Sequence, residues 1–173
     1  IDVQVLYDRM GSRVAWSVLP GSGVPEHYRF PPHMGRFLRG THGITVRENF
    51  NPWFTSDHTK VTVVDDHIAF LGGMNIGREY RYEWHDLMVE IQGPFVGRLR
   101  KDSRKAWSHA GLWGDLGYFA THIGHTENAP PVEPSIPVRP LYTGTGRFEI
   151  FRAQYEAARM ARSRIFITNP YFT

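Results

Sequence analysis

Residues 57–77 constrain the fold of this chain more than any other stretch. Thr59 to Val64 alternates polar and apolar side chains from Lys60 to Val63, and His67 to Leu71 is apolar from Ile68 onward, on either side of Asp65-Asp66. Two short runs of this kind, rich in β-branched and other apolar side chains, around a short acidic turn predict a β-hairpin. Polar and glycine anchors frame it: His58, Lys60, Asp65, Gly72, Gly73 and Asn75, with the spacing H-x-K-x4-D-x6-G-G-x-N. A bare His-x-Lys is a common accident of sequence. The full set, inside such a frame, is not.

The anchors carry a consistent chemistry. Side chains two apart on a strand emerge on one face, so His58 and Lys60 are expected to project together. A neutral imidazole is a competent nucleophile near pH 7. A neighbouring ammonium holds phosphate oxygens and stabilises charge that grows during displacement. Asn75 can donate its amide to the same oxygens, and Gly72 and Gly73 let backbone approach a bound anion. Lys60, Gly73 and Asn75 are thus the candidate substrate-binding set, with His58, Lys60, Asn75 and Asp86 as catalytic candidates. Asp65 falls in the expected turn, where short acidic side chains accept backbone N–H groups, and a structural role is assigned to it and to Gly72. Asp66 reads as turn surface.

A nucleophilic imidazole needs its second nitrogen held, and a carboxylate normally does this. Asp86 opens the next strand, 28 residues beyond His58. It is the first choice, against a plain role as acceptor at a strand start; Glu79 and Glu83 are the alternatives. Asp57, His58, Asp65, Asp66, His67, His85 and Asp86 also cluster in sequence and raise the question of a metal. No strict ligand spacing is present, and Lys60 would repel a cation, so neither metal nor other cofactor is expected. His122 and His125 read as solvated loop residues.

The chain has 173 residues, 41% hydrophobic and 14% aromatic, enough for a packed core. Twenty basic against seventeen acidic residues leave +3, which suits anionic substrates or membrane surfaces without demanding them. The basic residues are sparser than a nucleic-acid-binding stripe would require. Absence of cysteine excludes disulfides and thiolate zinc sites. No apolar run reaches the roughly 20 residues of a membrane span, and no secretory leader is visible. The first and last residues fall inside strand-like patterns, so the sequence reads as a piece of a longer protein.

Elsewhere, strands are expected at Val3–Tyr7, Ile44–Glu48, Asp86–Gln92, Ser135–Tyr142 and Ile165–Thr168, and helices at Asp8–Leu19, His33–Gly40, from Pro94 onward, and at Arg147–Arg162. Met34, Phe37 and Leu38 share a face of the second helix. Pro suits a first helical turn because its missing N–H has no partner there. In the helix that follows it, Val96, Leu99, Ser103, Ala106 and Ala110 form the apolar stripe, while Arg98, Arg100, Lys101, Arg104 and Lys105 occupy the polar side and read as a solvated face. Phe148, Phe151, Tyr155 and Ala158 form a stripe on the last helix. Asn49–Asp57 and Gly111–Pro134 read as connections. Strands alternating with helices predict an α/β fold, a mixed sheet between helices.

Two segments, Asp57-His-Thr-Lys-Val-Thr-Val-Val-Asp-Asp-His-Ile-Ala-Phe-Leu-Gly-Gly-Met-Asn-Ile-Gly77 and Trp84-His-Asp-Leu-Met-Val-Glu-Ile-Gln-Gly-Pro94, resemble bacterial cardiolipin synthase-like proteins of the phospholipase D superfamily. Val5-Leu-Tyr-Asp8 and Thr168-Asn-Pro-Tyr-Phe172 add weaker support. The resemblance implies two similar lobes with one active site between them, each lobe supplying one His-Lys-Asp motif. One histidine attacks phosphorus and the other protonates the leaving alcohol, and an acidic residue near the position of Asp86 holds the nucleophile. This chain carries one such motif only. It is expected to comprise most of a first lobe over residues 1–112, a connecting segment over 113–134, and the start of a second lobe over 135–173. The second histidine is then supplied by downstream sequence or by a symmetric partner in a homodimer.

The function so implied is phosphodiester hydrolysis or phosphatidyl transfer on phospholipids through a phosphohistidine, at a membrane surface or in the cytoplasm of a bacterial-type cell, with peripheral membrane contact. A metal-independent nuclease and a non-catalytic binding module are the alternatives. Head group and acceptor alcohol are not legible.

Overall fold

The structure, a computed structural model, describes residues 1–16, 31–49, 57–110, 133, 135–144 and 146–169. These form two compact units, Ile1–Glu133 and Pro134–Thr173.

In the first unit β1 (Val3–Asp8) runs into α1 (Arg9–Trp16), and α2 (Met34–Arg39) precedes β2 (Ile44–Asn49). β1 and β2 pair in parallel, with Val3 opposite Ile44 and Tyr7 opposite Glu48. Tyr7 Oη donates to Glu48 Oε1 at 2.7 Å, and Arg39 Nη2 donates to the same oxygen at 2.9 Å. Burial, with the Glu48 carboxylate beside it, pushes the Tyr7 hydroxyl up to about 12. Glu48 is held below the usual carboxylate range, first by the Tyr7 hydroxyl and then by Arg39. Asp8 ends the strand rather than opening the helix: its Oδ1 accepts the Gly11 N–H at 2.5 Å, a cap on the first turn of α1. Residues 17–19 of the expected helix lie outside the described residues. In α2, Phe37 is exposed rather than packed with Met34 and Leu38.

β3 (Val61–Val64), β4 (Ile68–Gly72) and β5 (Met88–Gln92) form an antiparallel sheet in the order β3-β4-β5. The short helix α3 (Arg78–Tyr82) lies between β4 and β5 in sequence. The hairpin forms around Asp65 and Asp66, whose φ angles are 47° and 59°. Positive φ at both central residues is what a type I′ hairpin turn requires, and Asp tolerates it better than most residues. His67 N closes the turn on Val64 O at 3.1 Å. Asp65 therefore supplies backbone conformation rather than the acceptor bond expected of it.

Pro94, itself with helical φ and ψ, precedes α4 (Phe95–His109). Ala69, Val96 and Leu99 form the buried centre, with Val61, Val63, Leu71, Ile91 and Phe95 against it. Burying such side chains contributes about 1.5–3 kcal/mol each at most. Arg100 corrects the solvated-face reading: it is only 8% exposed and its guanidinium pairs with Asp66. Asp66 is thus a partner of α4 and not idle turn surface. Arg47 ties the parallel pair to the same helix, donating to the Trp107 carbonyl at 2.7 Å with its guanidinium 4.7 Å from the Trp107 ring centroid.

In the second unit β6 (Thr143–Gly144) and β7 (Arg147–Phe148) make a minimal hairpin before α5 (Glu149–Met160). Neither Ser135–Tyr142 nor Ile165–Thr168 forms a strand. A strand exists through its ladder, and among the described residues neither segment has one. Phe148, Phe151 and Tyr155 are exposed, with the Phe151 and Tyr155 rings stacked 6.2 Å apart. The class is α/β. Among the described residues the strands lie in a parallel pair, an antiparallel three-stranded sheet and a two-stranded hairpin.

Candidate active site

The register of the three-stranded sheet decides which motif residues meet. Val61 lies opposite Leu71, Leu71 opposite Val89 and Gly72 opposite Met88. The entry to β3, the exit of β4 and the entry to β5 therefore share one end of the sheet. Residues 57–60, 72–75 and 86–87 converge there, although they are spread over 31 positions of sequence. Asp65 and Asp66 sit at the opposite end, with Arg100.

His58 and Lys60 precede β3 instead of lying within it. Their segment is held by side-chain acceptors. Asp8 Oδ2 accepts the Asp57 N–H at 3.1 Å, and Asp57 Oδ1 accepts the Thr59 N–H at 3.0 Å, an Asx turn that presents His58. The His58 side chain is exposed. Lys60 is half-buried and folds back, Nζ donating to the His58 carbonyl at 2.8 Å. Burial holds its ammonium below the usual lysine range, while the carboxylates of Asp57 and Asp86 pull the other way.

Gly72 and Gly73 serve a close approach, but to the chain itself. A Cβ on Gly72 would lie 2.8 Å from Met88 Cα and closer still to the Leu87 carbonyl. A Cβ on Gly73 would lie 2.8 Å from Asp86 Oδ2 and 2.9 Å from its Cγ. Gly73 N donates to Leu87 O at 3.1 Å, continuing the ladder past β4. The two glycines thus seat the start of β5, with the Asp86 carboxylate over Gly73.

Asp86 does not hold the His58 ring. Its Oδ1 accepts the N–H of Leu87 at 2.7 Å, and no hydrogen bond or ion pair joins it to His58 among the described residues. The carboxylate is folded onto its own strand entry, and its charge acts on Lys60 instead. Glu79 accepts the N–H groups of Glu83 and Trp84 through its backbone carbonyl, at 2.9 and 2.8 Å. Asn75 is exposed, and its Nδ2 donates to Tyr80 Oη at 2.7 Å. Tyr80, Asp8 and the Asp66–Arg100 pair are what the sequence reading missed. For Arg100 a signal existed: it lies four residues beyond Val96 and so on the buried face of the same helix.

No group of three or more metal-ligating side chains comes together among the described residues. His122 and His125 lie outside them. No described helix is long and apolar enough to cross a membrane.

No family model matches the chain, and no solved structure does. Curated relatives do. It is 31% identical over 186 residues to cardiolipin synthase A of Pseudomonas putida and 30% identical over 194 residues to that of Pseudomonas entomophila. It is 29% identical over 182 residues to that of Pseudomonas aeruginosa. Each match covers 99% of this chain and 34% of the relative. The chain spans about a third of the length of these proteins. Nearly every residue of it takes part in the similarity, which supports a cardiolipin synthase-like, phospholipase D superfamily relationship.

Proposed function

We propose that the chain carries one half of a metal-independent phosphatidyltransferase site, with His58 as the nucleophile. The observation that supports this best is the convergence of residues 57–60, 72–75 and 86–87 at one end of the β3-β4-β5 sheet. An exposed imidazole and a half-buried ammonium stand there on one segment, and a side-chain amide on its neighbour. The named activity of the relatives, cardiolipin synthesis, supplies the substrate class, a phospholipid phosphodiester.

In the first step a His58 nitrogen bonds to phosphorus, and the P–O bond to the leaving alcohol breaks. The electron pair departs on that oxygen, which takes a proton from a second histidine. In the second step an acceptor alcohol attacks phosphorus and gives its proton back to that second histidine, and the bond to His58 breaks. Water in place of the alcohol gives hydrolysis. The Lys60 ammonium neutralises a non-bridging oxygen, the Asn75 amide donates a hydrogen bond to the other, and Asp86 sustains the charge on Lys60. The second histidine belongs to a further lobe or to a second copy of the chain. Ile76, Tyr82, Trp84 and Leu87 are exposed beside the cluster and suit an amphipathic substrate at a membrane surface. Neither the nuclease nor the binding-module alternative draws support from the geometry or the relatives.

An activated diester isolates the first step, since p-nitrophenolate leaves without protonation. With bis(p-nitrophenyl) phosphate and excess chelator, the chain is expected to release one equivalent of p-nitrophenolate in a burst, and His58→Ala none. Loss of the burst in chelator with recovery on adding zinc or manganese would overturn the proposal.

A further inference from the structure

Asn75 is exposed and follows β4 in a segment with no regular structure, so its amide would rotate freely about two side-chain torsions if nothing held it. A donor that must meet a phosphate oxygen gains from being fixed before the ligand arrives, because the ordering cost is then already met. One group in the structure does this. Asn75 Nδ2 donates one of its two hydrogens to Tyr80 Oη at 2.7 Å, which leaves the other free.

Tyr80 is itself well placed for the task. It sits in α3, and the Glu79 carbonyl accepts the N–H groups of both Glu83 and Trp84 at 2.9 and 2.8 Å. That closure folds Trp84 back onto Tyr80, their rings meeting edge to face with centroids 4.9 Å apart. The Tyr80 ring is half-buried while the amide that it holds is exposed. An aromatic pair built on a helix thus carries a hydroxyl to the side chain of a loop residue.

We infer that Tyr80 is a positioning residue: it accepts one N–H of Asn75 and so aims the other at the phosphate of a bound diester. The inference rests on reading Asn75 as a phosphate donor. Tyr80 acts through Asn75 and need not touch the ligand. Loss of one neutral hydrogen bond corresponds to a roughly two- to tenfold loss in affinity.

Tyr80→Phe removes the hydroxyl and keeps the ring that meets Trp84, which separates positioning from packing. In a uniformly isotope-labelled chain, the side-chain signals of Asn75, His58 and Lys60 are followed by NMR while diethyl phosphate is titrated in. In the unliganded chain Tyr80→Phe is expected to shift the Asn75 amide signals. It is expected to weaken diester binding about two- to tenfold. Asn75→Ala with Tyr80→Phe is expected to bind no worse than Asn75→Ala alone, because the hydroxyl has nothing left to hold. Unmoved Asn75 signals in Tyr80→Phe, or strictly additive losses in the double variant, overturn the inference while leaving the site reading intact. A wild-type chain whose Asn75, His58 and Lys60 signals all ignore the diester overturns the phosphate reading, and with it the purpose assigned to Tyr80.

Discussion

Lys60 shows how the fold alters a residue that the sequence had already singled out. The period-two pattern placed it beside His58 on a strand. In the structure the two residues share the lead-in to β3, and the ammonium folds back on the His58 carbonyl. A long side chain reaches such an acceptor whatever the strand periodicity, so the contact was not legible. Lys60→Ala is expected to slow the p-nitrophenolate burst about 10²-fold, the size of losing one preorganised donor. Its titration gives a sharper check. Burial lowers the Lys60 pKa, and Asp57 and Asp86 oppose that shift. Diester binding should therefore weaken with rising pH before the usual lysine range is reached. Asp86→Asn removes one of the opposing charges, so the alkaline limb is expected to move to still lower pH. Binding curves that stay flat into the usual lysine range, or a limb that moves upward in Asp86→Asn, would contradict this. That Asp86 stands close to a strand start was legible. Its partner was not, because which side chain a carboxylate faces depends on tertiary packing that no local pattern encodes.

Among the elements, the β3–β4 hairpin was the most legible, since apolar runs, acidic turn and closing glycines all agree. The glycines themselves needed the structure. Sequence offered an approach to an anion, whereas the space above Gly72 and Gly73 is filled by Leu87, Met88 and Asp86. The basic residues of α4 show a different failure. Five of them were read as one solvated face, yet Arg100 is buried and pairs with Asp66 across to the hairpin turn. Among the described residues its Nε and Nη2 have no hydrogen-bond partner. Removing only the anion leaves a poorly solvated cation, while replacing the cation by an apolar side chain does not. Asp66→Ala is therefore expected to destabilise the chain by about 1–3 kcal/mol, and Arg100→Met to be close to neutral, in urea unfolding. Equal losses in both variants would mean that the pair itself, and not the desolvated guanidinium, sets the energetics. The segments at Ser135–Tyr142 and Ile165–Thr168 were misread as strands for a simpler reason. An apolar run records what a strand would bury, and among the described residues neither segment has a strand to pair with.

For the whole molecule, a single motif histidine per chain limits which leaving groups can depart. Alkyl leaving groups depart poorly without a proton, and general acid help is typically worth about 10² to 10⁴. The chain holds one His-x-Lys in the required frame. As a proven monomer it is expected to be inert toward a short-chain phospholipid while still reacting with the activated diester. Turnover that rises with dimer content would show that two copies of His58 share one site; robust turnover by a monomer would contradict the need for a second histidine. The most direct measurement is the location of the covalent intermediate. The chain is quenched at alkaline pH during the burst with bis(p-nitrophenyl) phosphate, then mapped by peptide mass spectrometry and phosphorus NMR. The expected result is one acid-labile phosphorus–nitrogen adduct per chain, on His58. A burst with the adduct on any other residue, or release of p-nitrophenolate with no adduct at all, would contradict His58 as the nucleophile.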